Sequence, residues 1–92
     1  MSEVKDNPQR SRFEMAEAGH VVFADYRREG ARLYIDHVEA PPALRGSGAA
    51  GRFMEGLVEV ARAEGATLVP ICSYAAAWLQ RHRDRVADVV AG

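Results

Sequence analysis

Residues 44–51 read Leu44-Arg45-Gly46-Ser47-Gly48-Ala49-Ala50-Gly51, and they lie between two segments of different periodicity. A strand-like run precedes them and ends at Ala40-Pro41-Pro42, and an amphipathic helix follows. Glycines and a small hydroxyl residue at such a junction leave backbone N–H groups uncovered at the positive end of the helix dipole. Arg45 adds a fixed positive charge whose donors suit phosphate oxygens. The stretch therefore predicts a binding site for the phosphate groups of a ligand.

Length and composition indicate one ordinary domain. The chain has 92 residues, of which 48% are hydrophobic and 27% charged, so it can build a single core without disulfides or metal. The net charge of −1 gives no reason to expect nucleic acid or an anionic membrane as a partner. Arginines do cluster around Glu29-Gly30, but a solvated hairpin tip explains them better than a nucleic-acid site.

The remaining bulk features concern the chain ends and the cellular setting. Residues 1–10 are polar and are predicted to be a disordered lead-in, so the domain is predicted to span residues 11–92. The apolar runs are too short to span a bilayer, and the N-terminus lacks a signal-peptide core. The single cysteine, Cys72, cannot form an internal disulfide, which favours a cytoplasmic location.

The first half of the chain predicts an antiparallel meander. Its segments are rich in β-branched and aromatic residues, and Glu29-Gly30 marks a hairpin between the last two of them. The predicted strands cover residues 11–16, 20–28 and 32–39.

The second half predicts a helix, a strand and a further helix. Apolar residues recur at helical spacing from Ala49 to Glu64, with Ser47 or Gly48 at the start and Gly65 at the stop. Gly56 inside this helix is expected where the helix closely approaches the sheet. The predicted strand at residues 67–71 follows a crossover helix and should run parallel to the strand before it, with Pro70 interrupting its ladder. Helices are predicted from Tyr74 to about His82 and, after a break, at residues 83–90. The order β-β-β-α-β-α describes an α+β fold with a mixed sheet.

The motif around the glycines narrows the class of ligand. The chain lacks both Gly-x-x-x-x-Gly-Lys-Ser/Thr and the glycine spacing of a dinucleotide fold. What remains is Arg45-x-x-Gly48-x-Ala50, which resembles the pyrophosphate motif Gln/Arg-x-x-Gly-x-Gly/Ala of the GNAT superfamily of acetyl-coenzyme A-dependent N-acetyltransferases. Two flanking runs and a histidine extend the likeness over residues 13–90 to a small single-domain GNAT-like subfamily: His37-Val38-Glu39-Ala40-Pro41, Pro70-Ile71-Cys72-Ser73-Tyr74 and His82.

This resemblance implies a cofactor site. Arg45 and the backbone N–H groups of the following residues would hold the pyrophosphate of coenzyme A: Gly46, Ser47, Gly48, Ala49, Ala50 and Gly51. Val38 and Glu39 would lie where a strand bulges and splays from its parallel neighbour, and the resulting gap would admit the pantetheine arm. A strand interrupted by proline, beside one that runs into Pro41-Pro42, is expected to open in this way.

The candidate catalytic residues each have two interpretations. Cys72 at a strand end is either a nucleophile that takes the acetyl group or a small buried hydrophobe. On strict alternation His37 shares a face with Leu33 and Ile35 and is a core histidine, whereas at a bulge it faces the gap as a general base. Glu39 is a second base or an edge residue.

Three residues of the last helix are interpreted mainly as structural. Tyr74 and Trp78 are expected to pack together against the sheet, and His82 is expected to be structural. A tyrosine in this part of larger GNAT enzymes protonates the coenzyme A thiolate, and that role is carried over to Tyr74 only weakly.

The sequence as a whole predicts a minimal N-acetyltransferase that binds acetyl-CoA and transfers its acetyl group to an amine, with acetyl-Cys72 as one route. Val38 and Ala40 replace an expected threonine and valine, and Arg83-Asp84 replaces proline-glutamate. The resemblance also implies a difference: larger GNAT enzymes wall the acceptor pocket with helices between their first strands, for which the tight turns of this chain leave no room. The acceptor site should therefore be open, which is compatible with a macromolecular or a loosely bound acceptor. The alternatives are a non-catalytic module that binds or senses coenzyme A, and a small protein-interaction domain whose glycine turn only caps a helix.

Overall fold

The computed structural model describes residues 3–91, which form strands along the first half of the chain and helices mainly along the second. In chain order the elements are β1 (Lys5–Asn7), β2 (Arg12–Glu17), β3 (His20–Glu29), β4 (Arg32–Glu39), α1 (Ala49–Glu64), β5 (Thr67–Pro70), α2 (Ser73–Arg81) and α3 (Arg83–Val86). Short 3-10 turns at Pro42–Leu44 and Ala87–Val89 precede α1 and follow α3. Among the residues described, no helix is both long and apolar enough to cross a membrane.

The strands form one five-stranded sheet in the order β1-β2-β3-β4-β5. Neighbouring strands are antiparallel except β4 and β5, which run parallel, as the crossover helix α1 requires. The sequence-based prediction of a mixed, mostly antiparallel α+β fold is confirmed.

Helices α1 and α2 pack on one face of this sheet. The core side chains of the sheet alternate along each strand toward that face: Phe13, Met15, Val22, Ala24, Tyr26, Leu33, Ile35 and Leu68. The other face, called the outer face below, carries half-buried or exposed residues such as Glu14, Phe23 and Tyr34.

The N-terminal segment is folded where the sequence predicts disorder. Residues 1–10 are predicted to be a disordered lead-in, but Lys5–Asn7 pair antiparallel with β2, so this prediction is wrong for that strand. The Tyr26 hydroxyl donates a 2.6 Å hydrogen bond to Asp6, and Arg28 donates to the same carboxylate at 3.0 Å. Tyr26 and Arg28 are distant from Asp6 in the sequence, so no local sequence pattern predicts this strand. Met1 and Ser2, which the prediction also covered, lie outside the described residues.

The same segment explains the glycine inside α1. A Cβ at Gly56 would lie 2.5 Å from Cγ2 of Val4, a distance that real Cβ atoms essentially never show. The close approach predicted at Gly56 therefore exists, but it is to the residue before β1 rather than to the sheet.

A bulge in β4 sets the direction of the residues beyond it. Asp25 pairs with His37 and Tyr26 pairs with Ile35, which leaves Asp36 as the extra residue. Because one extra residue moves all later side chains to the opposite face, His37 shares the outer face with Asp25 rather than the core face with Ile35. The structure has the bulged arrangement of His37, whose side chain is 53% exposed.

Glycines shape both ends of α1. Gly46 and Gly48 have φ of 82° and 85°, in the left-handed region, and Gly48 is the N-cap. Gly65, with φ of 69°, ends the helix as predicted, and its N–H donates to the carbonyls of Ala61 and Arg62.

Candidate functional site

The site begins where β4 and β5 separate. Their register ends at the pair Ile35 and Pro70, and the Ile35 carbonyl then accepts hydrogen bonds from the N–H groups of Ile71 at 3.0 Å and Cys72 at 2.9 Å. Pro70 has no N–H, and β4 continues to Glu39 beyond its last pairing with β5. The last residues of β4 are therefore not paired with β5.

A cavity of about 300 Å³ lies beside this strand end. Its walls come from the end of β4, the glycine turn and the first turns of α1 and α2: His37, Val38, Glu39, Ala40, Arg45, Ala50 and Tyr74. Five of the eleven predicted site residues therefore line the cavity, together with Tyr74, to which a role was carried over only weakly. Cys72 is not among the residues that line the cavity.

The backbone amides of the glycine turn fall into two groups. The N–H of Ser47 donates to the Leu44 carbonyl at 3.1 Å, and the N–H of Ala49 donates to the Ser47 hydroxyl at 3.3 Å. Within residues 3–91, no acceptor for the N–H groups of four others is found: Gly46, Gly48, Ala50 and Gly51. Fewer backbone amides than predicted are therefore free to bind phosphate, but amides at the helix N-terminus remain available.

Two arginines lie beside these amides. Arg45 is exposed, and its Nε donates to the Ala40 carbonyl at 3.3 Å, which holds the side chain near the end of β4. Arg52 donates through Nη1 to the Ser47 carbonyl at 3.2 Å and pairs with Glu17 on β2. Hydrogen bonding from Arg52 lowers the pKa of Glu17.

Arg52 was missed by the sequence analysis, although a signal for it exists. The first turn of α1 contains no acidic residue and contains this arginine instead. A cation there is opposed by the helix dipole and needs a negative partner, which Glu17 supplies.

His37 and Glu39 form a hydrogen-bonded pair at the rim of the cavity. The imidazole Nε2 lies 3.0 Å from Oε1 of Glu39, and both side chains are about half exposed, at 53% and 50%. The imidazole also lies near the Phe23 ring in a T-shaped arrangement, with the ring centroids 6.4 Å apart. The pair can hold a proton and is open to solvent on the outer face.

Tyr74 and Cys72 lie at the start of α2. Cys72 is the partly buried N-cap of α2, and its carbonyl accepts the Ala76 N–H at 2.9 Å. Burial raises the pKa of the Tyr74 phenol, so its hydroxyl keeps its proton at neutral pH.

Trp78 packs between α1 and His82. A Cβ built on Gly51 would lie 3.6 Å from Nε1 of the Trp78 indole, so the indole contacts the first turn of α1. On its other side the indole stacks on His82 at 4.0 Å, and Nδ1 of His82 lies 2.8 Å from the Trp78 carbonyl. These contacts hold the His82 ring against α2.

Comparison with known proteins identifies the family. Residues 12–89 match the model of a family described as GCN5-related N-acetyl-transferase. The fold is similar to the NMR solution structure of a GCN5-like protein from Staphylococcus aureus, with a TM-score of 0.68, 24% identity, and 98% of this chain and 88% of that chain covered. No curated protein matches the chain. Because the family model spans most of the sequence, the chain belongs to the GCN5-related N-acetyltransferase family.

Proposed function

We propose that the protein transfers the acetyl group of acetyl-CoA to an amine. One observation carries the proposal: the cavity joins the unpaired end of β4 and the start of α1 to the His37–Glu39 pair. Binding groups for a phosphorylated ligand and a proton acceptor thus border the same space.

The residues at the start of α1 have the groups needed to bind a diphosphate. The available amides at the N-terminus of α1 and the charge of Arg45 favour an anion, whereas the charge of Arg52 is paired with Glu17. Beyond them, the end of β4 at Val38 and Glu39 has backbone groups that an amide-containing pantetheine arm can pair with. Acetyl-CoA, when bound, supplies an acetyl group activated as a thioester.

The protein supplies the proton transfers. His37 accepts the proton that the acceptor amine must lose, and Glu39 fixes the orientation of the imidazole through their 3.0 Å hydrogen bond. Tyr74 lines the same cavity with a phenol whose raised pKa keeps it protonated, so it can donate to a departing thiolate. Each group is on a strand or helix rather than on a mobile loop, which keeps the geometry fixed.

A second route passes through Cys72. A bond from its Sγ to the acetyl carbon would form as the bond to the coenzyme A sulfur breaks, and the amine would then displace the Cys72 thiolate. Direct transfer is the better supported route because Cys72 does not line the cavity.

Release of free thiol from acetyl-CoA, measured with a panel of amines and peptides, tests the proposal. Direct transfer predicts acetylated amine by mass spectrometry, no acetyl group on Cys72, and near-normal turnover in Cys72→Ala. Acetyl-Cys72 together with an inactive Cys72→Ala would establish the covalent route instead. Calorimetric binding of acetyl-CoA without any acetylation would leave a coenzyme A-binding module, and the absence of binding would leave an interaction domain.

A further inference from the structure

An aromatic ring lies between two carboxylates on the outer face, next to the proposed site. Phe23 in β3 pairs directly with Glu14 in β2 on one side and with Glu39 in β4 on the other. Directly opposed residues share a face, with Cβ atoms about 4.5–5.5 Å apart. Because Glu39 also lines the cavity, this row leads from the site of acetyl transfer across the open face of the sheet.

The Phe23 ring already binds a cation. The guanidinium carbon of Arg12 lies 3.9 Å from the ring centroid, well within the range of a cation–π contact. The half-buried position of Phe23 reduces competition from water and strengthens such a contact.

The Arg12 side chain is poorly satisfied in this position. Its Nη2 lies 3.4 Å from Asp25, while its Nε is buried and has no hydrogen-bond partner among the described residues. A buried donor without a partner is costly, so little is lost when this guanidinium is replaced by another cation and turns toward solvent.

We propose that the acceptor is a diamine whose second ammonium group replaces the Arg12 guanidinium over Phe23, close to Glu14. This inference rests on the proposed function and specifies its substrate class. The reacting amine of the same molecule reaches the His37–Glu39 pair one strand away. Around Phe23, Arg12 and Lys5, the residue of β1 that pairs with Glu14, supply two positive charges. The carboxylates of Glu14, Asp25 and Glu39 still outnumber them, so a dication is favoured over a neutral or anionic acceptor.

The test compares cadaverine with the amino alcohol of the same chain length, which carries one ammonium group. With wild-type protein and acetyl-CoA, kcat/KM for cadaverine is expected to exceed that for the amino alcohol by about tenfold, which lies between the values of an exposed and a fully desolvated cation–π contact. Phe23→Leu and Glu14→Gln are each expected to remove most of this preference by raising KM for cadaverine alone. Glu29→Gln removes a negative charge from the distant hairpin and should leave the preference intact.

Binding measurements separate this inference from the proposed function. Calorimetry with coenzyme A present should show cadaverine binding that Phe23→Leu weakens and that Arg12→Gln strengthens, because the competing guanidinium is gone. If the substitutions acted only by disturbing the fold, Phe23→Leu and Arg12→Gln would both weaken cadaverine binding. Equal use of the two acceptors by wild-type protein would overturn the diamine inference and leave acetyl transfer standing. If no amine is acetylated, the proposed function fails, and unchanged cadaverine binding in both variants would overturn the inference as well.

Discussion

His37 Nε2 lies 3.0 Å from Glu39 Oε1, two residues along the same strand. Side chains at this spacing share a face, and the extra residue Asp36 turns that face to the outside of the sheet. Without the bulge, both side chains would point toward the core. The bulge therefore places a proton-accepting pair at the rim of the cavity.

The first prediction concerns this pair. His37→Asn is expected to lower kcat by about a hundredfold because the general base is lost, while the affinity for acetyl-CoA stays within about twofold. Glu39→Gln should have a smaller effect, since it removes only the group that orients the imidazole. Thiol release at saturating acetyl-CoA measures kcat, and calorimetry measures the affinity. Unchanged turnover in His37→Asn would assign the proton transfer to another group.

The second prediction concerns Tyr74 and pH. Burial raises the pKa of its phenol above the ordinary value of 10.0, so the protonated form predominates at every pH below that value. A role as proton donor predicts that activity falls as pH rises through this raised pKa. Tyr74→Phe should lower kcat about tenfold or more and abolish the alkaline limb of the kcat profile. An alkaline limb that persists unchanged in Tyr74→Phe would contradict this role.

The third prediction concerns the N-terminal strand. Asp6→Ala is expected to lower the free energy of unfolding by about 1–3 kcal/mol, because Tyr26 and Arg28 lose the carboxylate that accepts their hydrogen bonds. Hydrogen exchange should show lost protection in β1 and in the part of β2 that pairs with it. Lys5→Gln, at an exposed position of β1, is the control and should change neither. Equal stability of Asp6→Ala and wild type would mean that the hydrogen bonds to the Asp6 carboxylate do not stabilise the fold.

The fourth prediction concerns Gly56. Alanine there raises helix propensity by about 1 kcal/mol, but its Cβ would overlap Val4. Gly56→Ala alone is therefore expected to be neutral or destabilising, whereas in a Val4→Ala background it should be stabilising. Urea unfolding of the two single variants and the double variant gives the coupling energy between the positions. A coupling energy near zero would show that Val4 does not pack on Gly56.

Elements with local signals were predictable from the sequence. The helical period and the terminal Gly65 indicated α1, and the crossover rule gave the parallel direction of β5. Arg45 and Ala50 were identified because a short motif with a fixed spacing carries them, and both line the cavity.

Features that depend on distant contacts were not predictable. Strand β1 has three residues, and its Asp6 is held by Tyr26 and Arg28, which are far away in the sequence. A period of two cannot reveal which residue of β4 is the extra one, so both faces remained open for His37. Arg52 lies near the glycine turn because of helix geometry and its pairing with Glu17, neither of which a linear motif contains.

The binding of a diphosphate at the start of α1 is best examined at Ala50, the second residue of the helix, whose side chain lines the cavity. Glutamate there should raise the free energy of unfolding by about 0.3–1 kcal/mol, because an acidic side chain complements the helix dipole. The same charge should repel bound phosphates. Calorimetric titration with acetyl-CoA would compare Ala50→Glu with Ala50→Gln, which matches it in size. Ala50→Glu is expected to bind acetyl-CoA at least about tenfold more weakly than Ala50→Gln while being the more stable protein. Equal affinities in the two variants would contradict it.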